Sequence, residues 1–278
     1  MRAVLAGLLL LASGAGAQAA ERIVSIGGAI TEIVYALGAQ DRLVAVDSTS
    51  TWPFEAGELP NVGYMRRLSA EPIVGMSPDL VIAVDGSGPD SALAQLRDAG
   101  VRVELVPEGY DVDGVVAKVE RVAALLGKEP QGAELVDRIR SRMATVERQV
   151  AATKERPRVL FLMSASRGAP MAAGRHTAAD AVIRLAGGVN VVDGYDGYKA
   201  LSPEATVAAA PDFVLAMSET VDAMGGPGKI LALPELSAGP DTQVVAMPGQ
   251  LLLGFGPRTP DAVQALANAL HPDLSAKP

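Results

Sequence analysis

"LSAEPIVGMSPDLVIAV", residues 68–84, decides the fold because the chain contains it twice. "LSPEATVAAAPDFVLAM", residues 201–217, aligns with it without a gap at a constant offset of 133 positions, matching Leu68/Leu201, Ser69/Ser202, Glu71/Glu204, Pro78/Pro211, Asp79/Asp212, Val81/Val214 and Ala83/Ala216. Each copy reads as a serine N-cap, a glutamate in the first helical turn, a short apolar helix and Pro-Asp. An apolar run suited to a strand buried on both faces then follows.

The flanking segments repeat as well. "RIVSIGGAITEIVYALGAQDRLVAV" at 22–46 predicts a strand, a glycine-rich turn, a helix opened by Thr31 and a second strand. "RVLFLMSAS" at 158–166, followed by "AAGRHTAADAVIRLAGGVNVV" at 172–192, predicts the same order with Thr177 opening the helix and "LAGG" closing it. Strands alternating with helices give parallel sheets covered on both faces. Between the repeats, residues 130–154 carry Ala133, Leu135, Val136, Ile139, Met143, Val146 and Val150 at helical spacing. A helix of that extent would be about 36 Å long at 1.5 Å per residue. Its place midway between the copies predicts a rigid bridge rather than a surface helix of one lobe. The expected fold class is therefore α/β: two Rossmann-like lobes with parallel sheets, joined by a long rigid helix. The boundaries read as a signal peptide at 1–19, an N-terminal lobe at 20–111, a helical linker at 112–156 and a C-terminal lobe at 157–278.

The opening "MRAVLAGLLLLASGAGAQAA" has one arginine, an apolar run and small residues ending in Ala17-Gln18-Ala19, as an export signal does. Its apolar run is shorter than the roughly 20 residues that a membrane span needs. The 278 residues include no cysteine, so an exported form has no disulfides, no thiolate for zinc or an iron–sulfur cluster, and no cysteine to carry a lipid. Export without an anchor predicts a Gram-negative periplasm, a protein not inserted in the membrane and a monomer. A net charge of −8 argues against a nucleic-acid partner. The turn "SIGGAITE" lacks the G-x-G-x-x-G spacing of a dinucleotide site. No G-x-S-x-G elbow or H-E-x-x-H helix is present, and the 32 acidic residues make pairs such as Asp47 and Asp85 uninformative. The chain is not expected to be an enzyme, and no catalytic residue is assigned.

The most distinctive stretch is "NVGYMRRLSAEP" at 61–72. Taken alone, Tyr64 there reads as a core aromatic or a surface loop tyrosine. Together with "RIVSIGGAITEIVYALG", "AGRHTAADAVIRLAGG" and the repeated motif, however, the chain from about Glu21 to Leu270 resembles the periplasmic haem-binding proteins of bacterial haem ABC importers. Their fold is shared with cobalamin and ferric-siderophore binding proteins. The resemblance implies haem as transported ligand, bound in the cleft between the lobes and delivered to an inner-membrane permease dimer.

It also implies Tyr64 as the axial iron ligand. A phenolate is a hard donor suited to ferric iron, and a nearby cation favours it over the phenol. Arg66, two residues on, is expected on the same side as Tyr64, with Arg67 pointing to solvent or to a propionate. His176 is a candidate second ligand, equally readable as an exposed turn histidine, and His271 is expected to be uninvolved. Arg175 and Arg258 are candidate propionate partners, because arginine forks pair with carboxylates. Tyr195, Tyr198 and Lys199 are candidate pocket walls. Glu71 and Glu204 match the placement of the glutamates that dock on the permease. A cobalamin or ferric-siderophore carrier remains an alternative, and an exported enzyme a remote one.

Overall fold

The computed structural model describes residues 21–164, 170–201, 210–236 and 238–275. The expected signal peptide and Glu204 lie outside these residues.

The first sheet contains β1 (Ile23–Ile26), β2 (Leu43–Val46), β3 (Leu80–Val84) and β4 (Arg102–Val106), all parallel, in the order β2-β1-β3-β4. β1 and β3 are central and every residue in them is buried. β4 is an edge strand and can afford Arg102 and Glu104, which pair with each other at 2.8 Å. The covering helices are α1 (Gly28–Ala36), α2 (Ala70–Gly75) and α3 (Asp90–Asp98). α1 begins three residues before Thr31, which was expected to open it. Thr31 is instead buried inside the helix, its hydroxyl bonded to those of Ser25 and Ser50. Ser69 does stand at the N-cap of α2, but its side chain makes no capping bond.

The second sheet holds β5 (Arg158–Ser164), β6 (Met171–Ala173), β7 (Val189–Asn190), β8 (Tyr198–Ala200), β9 (Phe213–Met217) and β10 (Gln243–Met247). β9 coincides with β3 under the 133-residue offset. β7, β5, β9 and β10 are parallel neighbours in the same order as the four strands of the first sheet. The frame is thus repeated, but this sheet is not wholly parallel. β7 pairs only with the start of β5; β6 runs antiparallel along the rest of that edge, and β8 runs antiparallel to β6.

Helix α4 (Val112–Leu126) is capped by Asp111, which accepts the Gly114 N–H at 2.7 Å, and α5 (Glu129–Ala151) follows directly. The 23 residues of α5 span about 34 Å. Its apolar stripe is buried as the spacing predicts, except that Ala133 is exposed and Gly132 takes the inward position. A Cβ on Gly132 would stand 2.6 Å from the Ala123 Cβ of α4, so only glycine allows the two helices this approach. α6 (Ala178–Leu185) is opened by Thr177, whose hydroxyl accepts the Asp180 N–H at 3.1 Å, as expected. The later helices are α7 (Ser218–Ala223), α8 (Pro227–Leu231), α9 (Gly249–Leu253) and α10 (Thr259–Leu270). α5 packs against both α4 and α10. Among the described residues, no helix is long and apolar enough to cross a membrane.

The core is divided unevenly. On the face of the sheets covered by α1, α4, α5, α6 and α10, one cluster runs without a break from Ile30 and Leu80 of the first lobe through Val136 and Met143 to Phe161 and Val263 of the second. The opposite faces have separate cores, one around Val24, Ile73 and Leu93, the other around Leu160, Val214 and Ile230. The lobes are fused behind and apart in front.

Candidate ligand-binding cleft

In open α/β sheets a crevice forms beyond the carboxyl ends of the strands. Here the loops after β1, β2, β3 and β4 face the loop after β10, and the two sides meet where Tyr110 packs edge-on to Phe255 at 5.4 Å.

The loop after β2 is the most organised. Buried Asp47 accepts the Gly27 N–H at 2.9 Å, the Thr49 N–H at 3.1 Å and the Ser50 hydroxyl at 2.9 Å. Further on, the Pro60 carbonyl and the Val62 N–H pair with the Val46 backbone, and the Gly63 carbonyl accepts the Ser48 N–H. Gly63 has φ +101, where a side chain would be strained, and this bend turns the chain into Tyr64. The Arg67 N–H donates to the Tyr64 carbonyl at 2.8 Å, and Met65 and Leu68 are both bonded to the Gly88 backbone. Every backbone anchor around Tyr64 is fixed. Its side chain nevertheless stays 44% exposed, and its hydroxyl has no hydrogen-bond partner among the described residues.

The Tyr64–Arg67 bond makes this segment a turn, in which a spacing of two residues does not by itself put Arg66 on the side of Tyr64. The Arg66 guanidinium instead reaches the loop after β3, 3.7 Å from where a Cβ on Gly86 would stand. Its charge is felt by Tyr110 and Tyr198. Burial raises Tyr110, with Glu108 adding to the effect and Arg66 opposing it. Tyr198 is pushed up to about 12, first by burial and then by Tyr110; the Thr177 hydroxyl, the Ala179 backbone N–H and Arg66 oppose this. Both therefore offer the cleft protonated phenols, donors rather than anions. Arg67 is exposed.

The three pocket-wall candidates of the second lobe do not stay together. Successive residues of a strand face opposite ways, so β8 sends Tyr198 towards Phe161, 6.4 Å away, and Lys199 to the other side. There the Lys199 ammonium covers the Tyr195 ring at 5.0 Å, and the Tyr195 hydroxyl donates to the Ala172 carbonyl at 3.2 Å. Tyr195 and Lys199 thus belong to the packing of this lobe rather than to a wall shared with Tyr198.

Arg175 and His176 both lean on Asp196, at 3.0 and 3.2 Å. His176 is in a left-handed turn, φ +58, with its side chain 80% exposed and joined to Asp196 through Nδ1.

Arg258, a propionate candidate from the sequence, is engaged with the first lobe. Its guanidinium forks onto buried Glu32, donating from Nε at 3.1 Å and from Nη2 at 2.6 Å, and it stacks on Trp52 at 4.7 Å. Burial raises Glu32, and Arg258 and Gln250 pull it back only in part. Gln250 lies beside this pair and bonds to Gly28, Thr51 and Trp52 of the first lobe. Among the described residues, no three His, Asp or Glu side chains gather as a cation site.

A family model described as periplasmic binding protein matches residues 23–251. The chain belongs to the periplasmic binding protein family. Within it, the chain is 42% identical to the periplasmic heme-binding protein BhuT, solved with two hemes, with a TM-score of 0.85 over 91% of this chain and 98% of that one. It is 27% identical to the ABC transporter substrate-binding lipoprotein YvrC of Bacillus subtilis, over 91% of this chain and 81% of the relative. It is also 29% identical to the vitamin B12-binding protein of Yersinia pestis, over 63% of this chain and 61% of that protein.

Glu71 stands exposed in the first turn of α2, where the helix dipole favours an anion. Three residues that the sequence reading missed shape the cleft: Tyr110, Gln250 and Glu32. Tyr110 directly follows the β4 turn and could have been found as the sole aromatic between that strand and α4. Nothing in the sequence links Gln250 to Glu32, 218 positions away.

Proposed function

We propose that this chain is a periplasmic carrier that takes haem into the cleft between its lobes and delivers it to an inner-membrane ABC permease. The observation that carries this reading is Tyr64: an exposed phenol on a loop anchored by backbone hydrogen bonds, with no partner for its oxygen among the described residues. A porphyrin brings the equatorial donors of its own iron, so a site that supplies one oxygen and no cage of protein ligands suits haem better than a bare cation. Arg66, reaching the neighbouring loop, supplies positive charge beside the site, while Tyr110 and Tyr198 give apolar ring surface with a hydroxyl at its edge. His176 keeps its Nε2 open and stays the candidate for a second axial position; Arg67 and Arg175 remain candidates for the propionates. The likeness to BhuT over nearly the whole of both chains supports haem as the ligand.

Glu71 on the first lobe, with Glu204 as its counterpart in the repeated sequence motif, is the candidate docking pair for a permease of two similar halves. Such charges steer and orient encounter more than they add affinity. The carrier has no catalytic role in this reading.

Haemin titration of the purified mature protein and of its Tyr64→Phe variant, read by absorption spectroscopy, tests the proposal. A saturable complex with a phenolate-to-iron charge-transfer band, lost in the variant, is the expected result. Saturable binding of cobalamin with none of haemin would move the protein to the cobalamin branch and leave Tyr64 without a metal.

A further inference from the structure

We propose that Gln250 and Arg258 are positioning residues that set the width of the cleft, whichever ligand it holds. The Gln250 amide spans the gap between the lobes with both its oxygen and its nitrogen. Its oxygen accepts the N–H groups of Thr51 and Trp52 at 2.6 and 2.8 Å and the Thr51 hydroxyl at 2.9 Å. Its nitrogen donates to the Gly28 carbonyl at 2.9 Å, to Glu32 Oε1 at 2.8 Å and to the Trp52 carbonyl at 3.1 Å. An amide has two donors and an oxygen with two lone pairs, so this one is saturated by the opposite lobe. Arg258, eight residues on, adds its fork to Glu32 and its stack on Trp52.

The opposite lobe is shaped for this contact. A Cβ on Gly28 would stand 2.7 Å from the Gln250 side chain, so a glycine at the start of α1 is what lets the amide approach. The Gln250 segment is itself held at both ends. The Gly249 N–H donates to Glu219 at 3.1 Å, and fully buried Lys118 of α4 donates to the Phe255 carbonyl at 3.0 Å. The grip falls on the loop that leads to Tyr64: Thr51 and Trp52 lie on the stretch anchored at Asp47 and again at Val46 and Ser48. Fixing these residues against the second lobe fixes where Tyr64 stands relative to Tyr198. The shared core joins the lobes from behind, and this latch extends that join towards the cleft through Gly28 and Glu32 of α1 and through α9, whose Leu252 belongs to the same core.

The absence of cysteine makes the test clean. Spin labels on Gln95→Cys in α3 and Lys229→Cys in α8, both exposed on the front faces, report the distance across the cleft. The expected result is one narrow distance distribution in the otherwise unchanged protein, and a broader one shifted to longer distance in Gln250→Ala. Arg258→Lys should fall between them, because an ammonium keeps the charge but cannot fork. Arg121→Ala, which removes an ion pair to Glu104 between α4 and β4 within the first half of the chain, should leave the distribution unchanged. Haemin should also leave Gln250→Ala faster while its phenolate band is retained, a combination that general destabilisation does not produce. A folded Gln250→Ala protein with the unchanged distribution overturns the proposal. If the unchanged protein binds no haemin, the haem reading fails while the distance result still stands or falls by itself.

Discussion

The two lobes share one frame and use it differently. In each, four parallel strands take the same order, and β3 and β9 coincide residue for residue under the 133-position offset. The first lobe keeps the bare frame and reaches the crevice through the long, anchored loop that holds Tyr64. The second adds the antiparallel pair β6 and β8 on the half of β5 that β7 leaves free, and this addition carries Tyr198. The groups they present differ accordingly: an exposed phenol with no partner among the described residues from one side, and a partly buried phenol pushed up to about 12 from the other. The frame comes from what repeats, and the chemistry from what does not.

The largest expected effect breaks the join between the lobes. Arg258→Ala leaves the buried Glu32 carboxylate without its cation and should cost about 3 kcal/mol in urea unfolding, the low end for a buried pair because Arg258 is partly exposed. Glu32→Gln should cost far less, since a neutral amide needs no counter-charge. The difference between the two variants isolates the uncompensated carboxylate.

The next separates the roles of the two tyrosines. Tyr64→Phe should lower haemin affinity by about 100-fold or more, beyond what outer partners of a metal ligand usually cost, and should abolish the charge-transfer band. Tyr198→Phe should keep the band, and equilibrium titration should show a loss smaller than tenfold. Equal losses would mean that both lobes supply iron ligands.

Between these, Arg66→Ala should weaken haemin binding by about tenfold, because the crevice loses a cation that acts on both Tyr110 and Tyr198; equilibrium haemin titration at neutral pH reads this directly.

The smallest effect is an acid one confined to the second lobe, which holds both histidines. Burial lowers His271, and its buried Nε2 has no partner among the described residues. The folded protein therefore keeps the ring neutral, while the unfolded chain takes up a proton below about 6.5. His271 adds stability above that pH, and the contribution is lost as pH falls from there towards its lower folded value. His271→Phe should flatten the dependence of the melting temperature on pH between neutral and mildly acid buffer.

The repeated frame was legible because burial imposes a pattern on neighbours in sequence: apolar runs for central strands, a helical stripe for α5, a threonine at the start of α6. The start of α1 was misread because a threonine that resembles a cap serves a buried hydroxyl network instead. The sorting of Tyr195 and Lys199 away from Tyr198 depended on β8, a strand of three residues added outside the repeat, too short to show alternation. The Arg258 fork could not be read at all. It joins residues 226 positions apart, and an arginine in "GFGPRTP" looks the same whether it meets a ligand or a glutamate of the other lobe.

The unbroken core behind the lobes also governs how the molecule comes apart. Phe161 and Met143 belong to the same packed cluster as Ile30 and Leu80, so neither lobe can melt without exposing apolar surface of the other. Heat or denaturant should therefore meet one cooperative unit with a single transition, and a chain severed between α4 and α5 should leave two fragments that need each other to fold.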